Sequence, residues 1–399
     1  MTAQNITEKS LELHRKHHGK IALKNTIPLE NREDLALAYT PGVAGVCEYI
    51  AKHPQEAKEL TFKHNSIAVI SDGSAILGLG NLGPLAALPV MEGKCALFKR
   101  FGDIDAVPIV LDTQSTDEIV SVVKAIAPTF GGINLEDIAA PRCFEIESRL
   151  KKELDIPVMH DDQHGTAIVV LAGLINAVKL RKLNKKTAKV VVNGAGAAGV
   201  SIVKLLLLDG FENVVVCDSK GAIYSGREDL NSEKEKLSML TNIACRIDID
   251  DPRCAIGGLE QSIRDADIFI GVSQGGVLTK EHIRLMHPNP IIFALANPIP
   301  EIMPEDALDA GASVVATGRS DFPNQVNNVL AFPGLFRGAL DSGITQFTEE
   351  MFIRAAYRIA ECVDKPSSKN IIPDPFDRKV PSAVSEAVRY SVKEKEGKI

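Results

Sequence analysis

The stretch K-V-V-V-N-G-A-G-A-A-G-V, from Lys189 to Val200, limits what this chain can fold into more than any other part of it. A strand-like run feeds the first glycine, and V-S-I-V-K-L-L-L-L-D-G leads out of the last one as an amphipathic helix ending at Gly210. In that strand–glycine–helix order the free N–H groups at the positive end of the helix form a seat for a dinucleotide pyrophosphate. Gly194, Ala195, Gly196, Ala197, Ala198 and Gly199 are therefore the expected phosphate loop. A second run, N-V-V-V-C, ends at Asp218, 24 residues beyond Gly194, where an acid is expected to accept from a ribose hydroxyl. Further apolar runs at 267–272, 291–296 and 313–317 alternate with helical stretches. This alternation predicts an α/β fold, with a Rossmann-type doubly wound parallel sheet in the second half.

The same glycine pattern at Gly78, Gly80 and Gly83 lacks that context. Pro84 follows its last glycine, Pro89 interrupts the next segment, and Lys94, Lys99 and Arg100 stand where an acid belongs. It reads as a close-packed turn lining a pocket. Upstream, residues 5–63 are polar and helical around the turn at Pro41-Gly42, Ser66–Ile70 reads as a buried strand, and Ala106–Leu111 is another short apolar run. I-P-V-M-H-D-D closes this pattern near residue 160, and a long helix is expected from Thr166 to Lys182. With 399 residues available, two domains follow. Residues 1–160 form an N-terminal α/β substrate and catalytic domain, and 161–399 a dinucleotide domain with C-terminal helices.

Charge and composition exclude several classes. Forty-five basic residues against 52 acidic ones give a net charge of −7, with no general basic footprint for nucleic acid. The most apolar stretch, Ala167–Val178, falls short of about 18 residues, so no membrane partner is expected. The N-terminus has no apolar signal core. Seven cysteines, an odd number with no C-x-x-C, argue against a disulfide framework. A cytoplasmic location is the expectation.

Two acidic pairs, Glu136-Asp137 and Asp161-Asp162, each follow an apolar run and so belong at strand ends. Carboxylates converging there would suit Mg2+ or Mn2+, although either pair alone reads as solvated loop acids. His160 and His164 have the i, i+4 spacing of a zinc hydrolase. That reading needs both on one helical turn, whereas Pro157 and Gly165 put the helix start at Thr166. Tyr39, Lys94, Asn297 and Asn327-Asn328 flank turns, and spacing alone makes them structural.

Taken together, these strings resemble the malic enzymes. They are Y-T-P-G-V-A at Tyr39, S-D-G-S-A-I-L-G-L-G-N-L-G-P at Ser71, E-G-K at Glu92, N-L-E-D at Asn134, H-D-D-Q-H-G-T-A at His160, the G-A-G-A-A-G loop, A-N-P at Ala296 and N-N-V-L-A-F-P-G at Asn327. They occur in the family's order over nearly the whole chain, in its compact bacterial form. The resemblance implies oxidative decarboxylation of L-malate to pyruvate and CO2, with NAD or NADP taking the hydride and Mg2+ or Mn2+ assisting. It implies Glu136, Asp137 and Asp162 as metal ligands. Lys94 would be the base for the C2 hydroxyl, its pKa lowered by the nearby cation, and Tyr39 the acid that protonates the enolpyruvate carbon. Asp161 would position Lys94, and Asn297 and Asn328 would contact malate or the nicotinamide end. A homodimer is implied as well, with residues of a second chain completing the pocket.

Two departures bear on specificity. Larger members carry an arginine for a malate carboxylate where this chain has Ala75, leaving Lys99, Arg100 or Arg142 as substitutes. Asp218 favours NAD, yet D-S-K-G at 218–221 looks like NADP-using relatives, with Lys220, Lys234 or Lys236 available for a 2′-phosphate. The alternatives are a malolactic decarboxylation with retained cofactor and a dinucleotide-sensing binding protein.

Overall fold

The protein is described by a computed structural model over residues 3–395. Four parallel strands, β1 (Ser66–Ser71), β2 (Asp105–Val110), β3 (Gly132–Leu135) and β4 (Val158–His160), form a first sheet in the order β2-β1-β3-β4. β3 and β4 are the short apolar runs, G-I-N-L and V-M-H, whose ends carry the two acidic pairs as expected, although their bounds were not legible in so few residues. All of β1 is buried. Ile67 and Val69 face one core with Met91 and Phe98, while Ala68 and Ile70 face Ile119, Val123 and Ile146 on the other side. The helix Pro84–Gly102 runs straight through Pro89, which had read as an interruption, with Ala87, Met91 and Phe98 buried.

The second sheet contains β5 (Lys189–Asn193), β6 (Asn213–Asp218), β7 (Gly221–Ala222), β8 (Ile268–Gly271), β9 (Ile291–Ala294) and β10 (Val314–Thr317). Its order is β10-β9-β8-β5-β6-β7, and it is parallel except for the short β7. The chain leaves β5 towards β6 on one side and returns to β8 on the other. This reversal opens a crevice at the carboxyl ends of β5 and β8, the usual place for a ligand in such sheets.

The helix Asp161–Arg181 joins the two sheets. It begins five residues earlier than expected, with His160 as its N-cap and Asp161 and Asp162 in its first turn, where carboxylates suit the helix dipole. By length and composition it would cross a bilayer, contrary to the expectation from the sequence. Most of it is instead buried, in one continuous core with residues of both sheets such as Met159, Val192 and Ile268. Helices Arg32–Ala38 and Gly42–Lys52, by contrast, bury no residue at all.

One expectation about cysteine is corrected. Cys245 and Cys254 are bonded, while the other five are free. The pair is local, nine residues apart in a turn anchored by Asn242, whose side chain bonds Ala255 through both its oxygen and its nitrogen. An odd cysteine count argues against a framework of cross-links, not against one short loop. At the other end of the dinucleotide domain, the helix Lys379–Lys395 carries the charged terminus through residue 395, and residues 396–399 lie outside the described residues.

Candidate active site

The acids converge because parallel strands place their carboxyl ends side by side. Glu136 and Asp137 follow β3, Asp161 and Asp162 follow β4, and Lys94 reaches them from the helix Pro84–Gly102. Lys94 Nζ lies 2.6 Å from Asp161 Oδ2 and 2.9 Å from Glu136 Oε1, with the Phe332 ring 4.1 Å away. Asn328 Nδ2 donates to the same Asp161 oxygen, and Asn134 Nδ2 donates to Glu136 Oε2 at 2.9 Å. Asp162 Oδ2 accepts the Asp137 N–H at 2.8 Å. Gly165 allows this approach: a Cβ there would stand 2.0 Å from Asp161 Oδ1. Lys94 is 6% exposed and Asp161 0%, while the Asp162 side chain opens to solvent at 36%.

Four acids here face one lysine. Burial and mutual repulsion outweigh the pull of Lys94, raising Glu136 to about 7, Asp137 to about 8, Asp161 to about 7 and Asp162 to about 6. Burial would lower the Lys94 ammonium, but Asp161 and Glu136 hold it well above its ordinary value. This reverses the expected direction for a base, because the lysine's nearest charges are anions. Asp137 Oδ2 and Asp161 Oδ1 are buried without a hydrogen-bond partner. Donor type and surplus negative charge therefore fit a hard divalent cation. Among the described residues, however, no three such side chains gather at one point. Glu136 is turned to Lys94 and Asp162 to a backbone N–H, so Glu136, Asp137 and Asp162 are neighbours but not a formed coordination shell.

The two histidines diverge. His160 is fully buried, with Nδ1 3.8 Å from Asp162 Oδ2, and burial pushes it down to about 4. His164 Nε2 lies 3.0 Å from Glu147 and its ring stacks on Phe352 at 4.7 Å. Both lie at the start of one helix, but among the described residues neither belongs to a group of three potential metal ligands, and the zinc-hydrolase reading has no support.

Across the crevice, the glycine loop has the geometry a pyrophosphate requires. Gly194 has φ +127°, and a Cβ at 199 would stand 1.8 Å from the Gly194 carbonyl oxygen. A Cβ on Gly196 would meet nothing, so that face is open at the start of helix Ala197–Leu208. Ala197 packs on the core of the first sheet, bringing the loop against the carboxylate domain. The other glycine turn does line the site: a Cβ on Gly78 would stand 2.7 Å from the Asn297 carbonyl oxygen. The Ala75 N–H in the same turn donates to the Asp137 carbonyl oxygen at 3.0 Å.

The description "Malic enzyme, NAD binding domain" matches residues 163–394, and "Malic enzyme, N-terminal domain" matches residues 18–117 and 113–151. The bifunctional malic/malolactic enzyme of Bacillus subtilis (strain 168) is 55% identical over 98% of this chain and 94% of its own length. An NADP-dependent malic enzyme of Halomonas elongata is 46% identical over 93% of this chain and 89% of its own. The crystal structure of an NAD-dependent malic enzyme from Thermotoga maritima superposes with a TM-score of 0.90 at 50% identity, covering 95% of this chain and 98% of that one. The chain belongs to the malic enzyme family.

Set in that family, the site residues fall into two groups. Lys94, Asp161, Glu136, Asp137, Asp162 and Asn328 are brought together. Tyr39 is not: it is 67% exposed, on the segment that buries nothing. At the end of β6, Asp218 Oδ2 is already bonded by Arg227 Nη2 and Lys234 Nζ, both at 2.6 Å, and Oδ1 by the Lys220 N–H at 2.9 Å. Burial would raise Asp218, but these partners bring it down to about 2. Lys220 Nζ is turned to Asp229 at 2.7 Å and Lys236 to Glu233 at 2.5 Å, so neither points a free ammonium into this site.

Among the candidate replacements for the arginine missing at Ala75, Lys99 pairs with Asp103 and Asp105 at an exposed helix end. Arg142 borders the cleft, 3.0 Å from the buried Asp72 and 3.1 Å from Ser74 Oγ. Sequence analysis missed Arg227 and Glu147, which lie in polar segments with no motif around them. It also missed Phe332, which reads only as core.

Proposed function

We propose that this malic enzyme oxidatively decarboxylates L-malate to pyruvate and CO2, reducing NAD(P)+ to NAD(P)H. The observation that carries the reading is the buried Lys94, held between Asp161 and Glu136 beside the dinucleotide crevice. A divalent cation on Glu136, Asp137 and Asp162 would supply positive charge for the oxygen that gains electrons as CO2 leaves, and would compete with Lys94 for Glu136. With such a cation drawing Glu136 away and adding positive charge beside it, Lys94 would give up its own proton, and its neutral Nζ would then take the proton of the malate C2 hydroxyl, held in place by Asp161 and Asn328. Phe332 keeps water from one side of it. Arg142 receives a malate carboxylate from the turn that carries Ser74. Tyr39 then delivers a proton to C3 of the enolpyruvate.

Tyr39 reaches the cluster from a second copy in a homodimer. Supporting this are Leu35, Leu37, Tyr39 and Tyr49, apolar or aromatic side chains all exposed on helices that bury nothing in their own chain. The enzyme works in the cytoplasm. NADP is an acceptable cofactor as well as NAD, because Arg227 and Lys234 already neutralise Asp218, the acid that would repel a 2′-phosphate.

Incubating the protein with L-malate and Mn2+ and following pyruvate and reduced cofactor together, with NAD and NADP in parallel, tests the reading. Equal yields of the two, abolished by EDTA and by Lys94→Ala, are expected. Lactate formed without free reduced cofactor would replace it with the malolactic reading, the second of the two activities in the name of the relative from Bacillus subtilis. No turnover with either cofactor would leave a dinucleotide-binding protein.

A further inference from the structure

Glu301 is fully buried, yet no ion pair reaches it among the described residues, and none of the chemistry above uses it. A buried carboxyl group in such a place is costly unless its oxygens are hydrogen-bonded. Here each oxygen takes a backbone N–H from a different strand end. Oε1 accepts from Ser273, two residues beyond β8, at 2.9 Å, and Oε2 accepts from Ala296, two residues beyond β9, also at 2.9 Å. The fit is close: a Cβ on Gly271, the last residue of β8, would stand 2.4 Å from the Glu301 carboxyl carbon. Ser273 Oγ in turn accepts from Asn193 Nδ2 at 2.8 Å, and Asn193 is the residue before the glycine loop. An unbroken series of hydrogen bonds thus runs from the phosphate loop, through Ser273 and Glu301, to Ala296, the neighbour of Asn297.

We propose that Glu301 is a positioning residue, its carboxyl group spanning the ends of β8 and β9 so that Asn297 and the glycine loop hold the two sides of the crevice at the separation a whole dinucleotide needs. The inference rests on the cofactor reading above. It assigns Glu301 no contact with substrate or cofactor. The residue acts at the nicotinamide side, because β8 and β9 lie on the opposite side of β5 from β6, whose Asp218 marks the adenosine side. Reach distinguishes the possible replacements. Aspartate keeps the charge but is one methylene too short to meet both N–H groups, while glutamine keeps the length and turns an N–H2 towards one of them.

The test measures binding of NADH, NADPH and ADP to the full-length chain by calorimetry, for the native protein, Glu301→Asp and Glu301→Gln, with a melting curve for each. ADP occupies only the adenosine half. The expected result is that both variants bind whichever reduced dinucleotide the native protein binds about tenfold more weakly, while their ADP affinity stays within twofold. Equal weakening of ADP and dinucleotide would reduce Glu301 to a general structural role and overturn the proposal, as would unchanged dinucleotide affinity in both variants. If Glu301→Asp does not fold, the glutamine variant decides between these outcomes. Failure of the native protein to bind any dinucleotide is a separate result, and would sink the cofactor reading itself.

Discussion

Lys94 is where one side chain decides most. Among the described residues it is the only lysine or arginine set against Asp161 and Glu136, and its neutral amine is the base of the proposed reaction. Lys94→Ala should lower kcat by about a thousandfold while leaving dinucleotide affinity unchanged, read by steady-state kinetics beside calorimetry. Glu147 carries a different kind of prediction. Burial would raise its carboxyl group, but His164 and Lys151 pull it well below the ordinary value, and Oε1 also accepts the His160 N–H at 3.0 Å. A lowered carboxylate contributes stability that is complete above its unfolded value and fades as pH falls below that value towards the folded one. Glu147→Gln should therefore cost about 2 kcal/mol at neutral pH, a gap that closes on acidification from about pH 5 to pH 3. Urea unfolding of both proteins across that range checks the sign; a gap that widened in acid would contradict it.

Elements show how far local patterning reaches. Strands β5 and β6 stand within one residue of their expected bounds and helix Ala197–Leu208 within three, because long β-branched runs and a glycine stop leave little choice. The tight approach behind that stop makes Gly199→Ala a severe change, since the new methyl would meet the Gly194 carbonyl oxygen. Loss of detectable dinucleotide binding and about 3 kcal/mol of stability are expected, measured by NADH fluorescence titration and chemical unfolding. Helix Asp161–Arg181 was harder to read. Pro157 and Gly165 argued for a late start, but the first turn is held by tertiary contacts: Glu147 takes the His160 N–H and His164, and Gly165 makes room for Asp161. Similarly, Pro89 sits inside a helix whose buried Met91 and Phe98 outweigh the local penalty.

At the scale of the whole molecule, the unresolved interaction is the one the N-terminal helices make. A surface carrying Leu35 at 54% and Leu37 at 72% exposure costs solubility unless a partner covers it. Leu37→Asp should convert the proposed homodimer to monomer in sedimentation velocity, and, if Tyr39 serves the second site as proposed, kcat should fall with the dimer population. A monomeric variant with full activity would show that each chain completes its own pocket.

The sequence by itself determined the parallel sheet around β5, the phosphate loop and the family, because these depend on glycines, β-branched runs and strings of neighbours along the chain. It also named the acids of the cluster, though only the resemblance gathered them into one site. What needed the tertiary structure was every relation between residues far apart in the chain. The ion pair of Lys94 with Asp161 bridges 67 residues, and its two acidic partners reverse the expected direction of the lysine's shift. Arg227 and Lys234 turn Asp218 from a free acceptor into a counter-ion. Glu301 acquires a role only when β8 and β9 lie side by side. Spacing along a chain carries no information about charge brought in from another strand, and burial, which sets the strength of those charges, exists only in the fold.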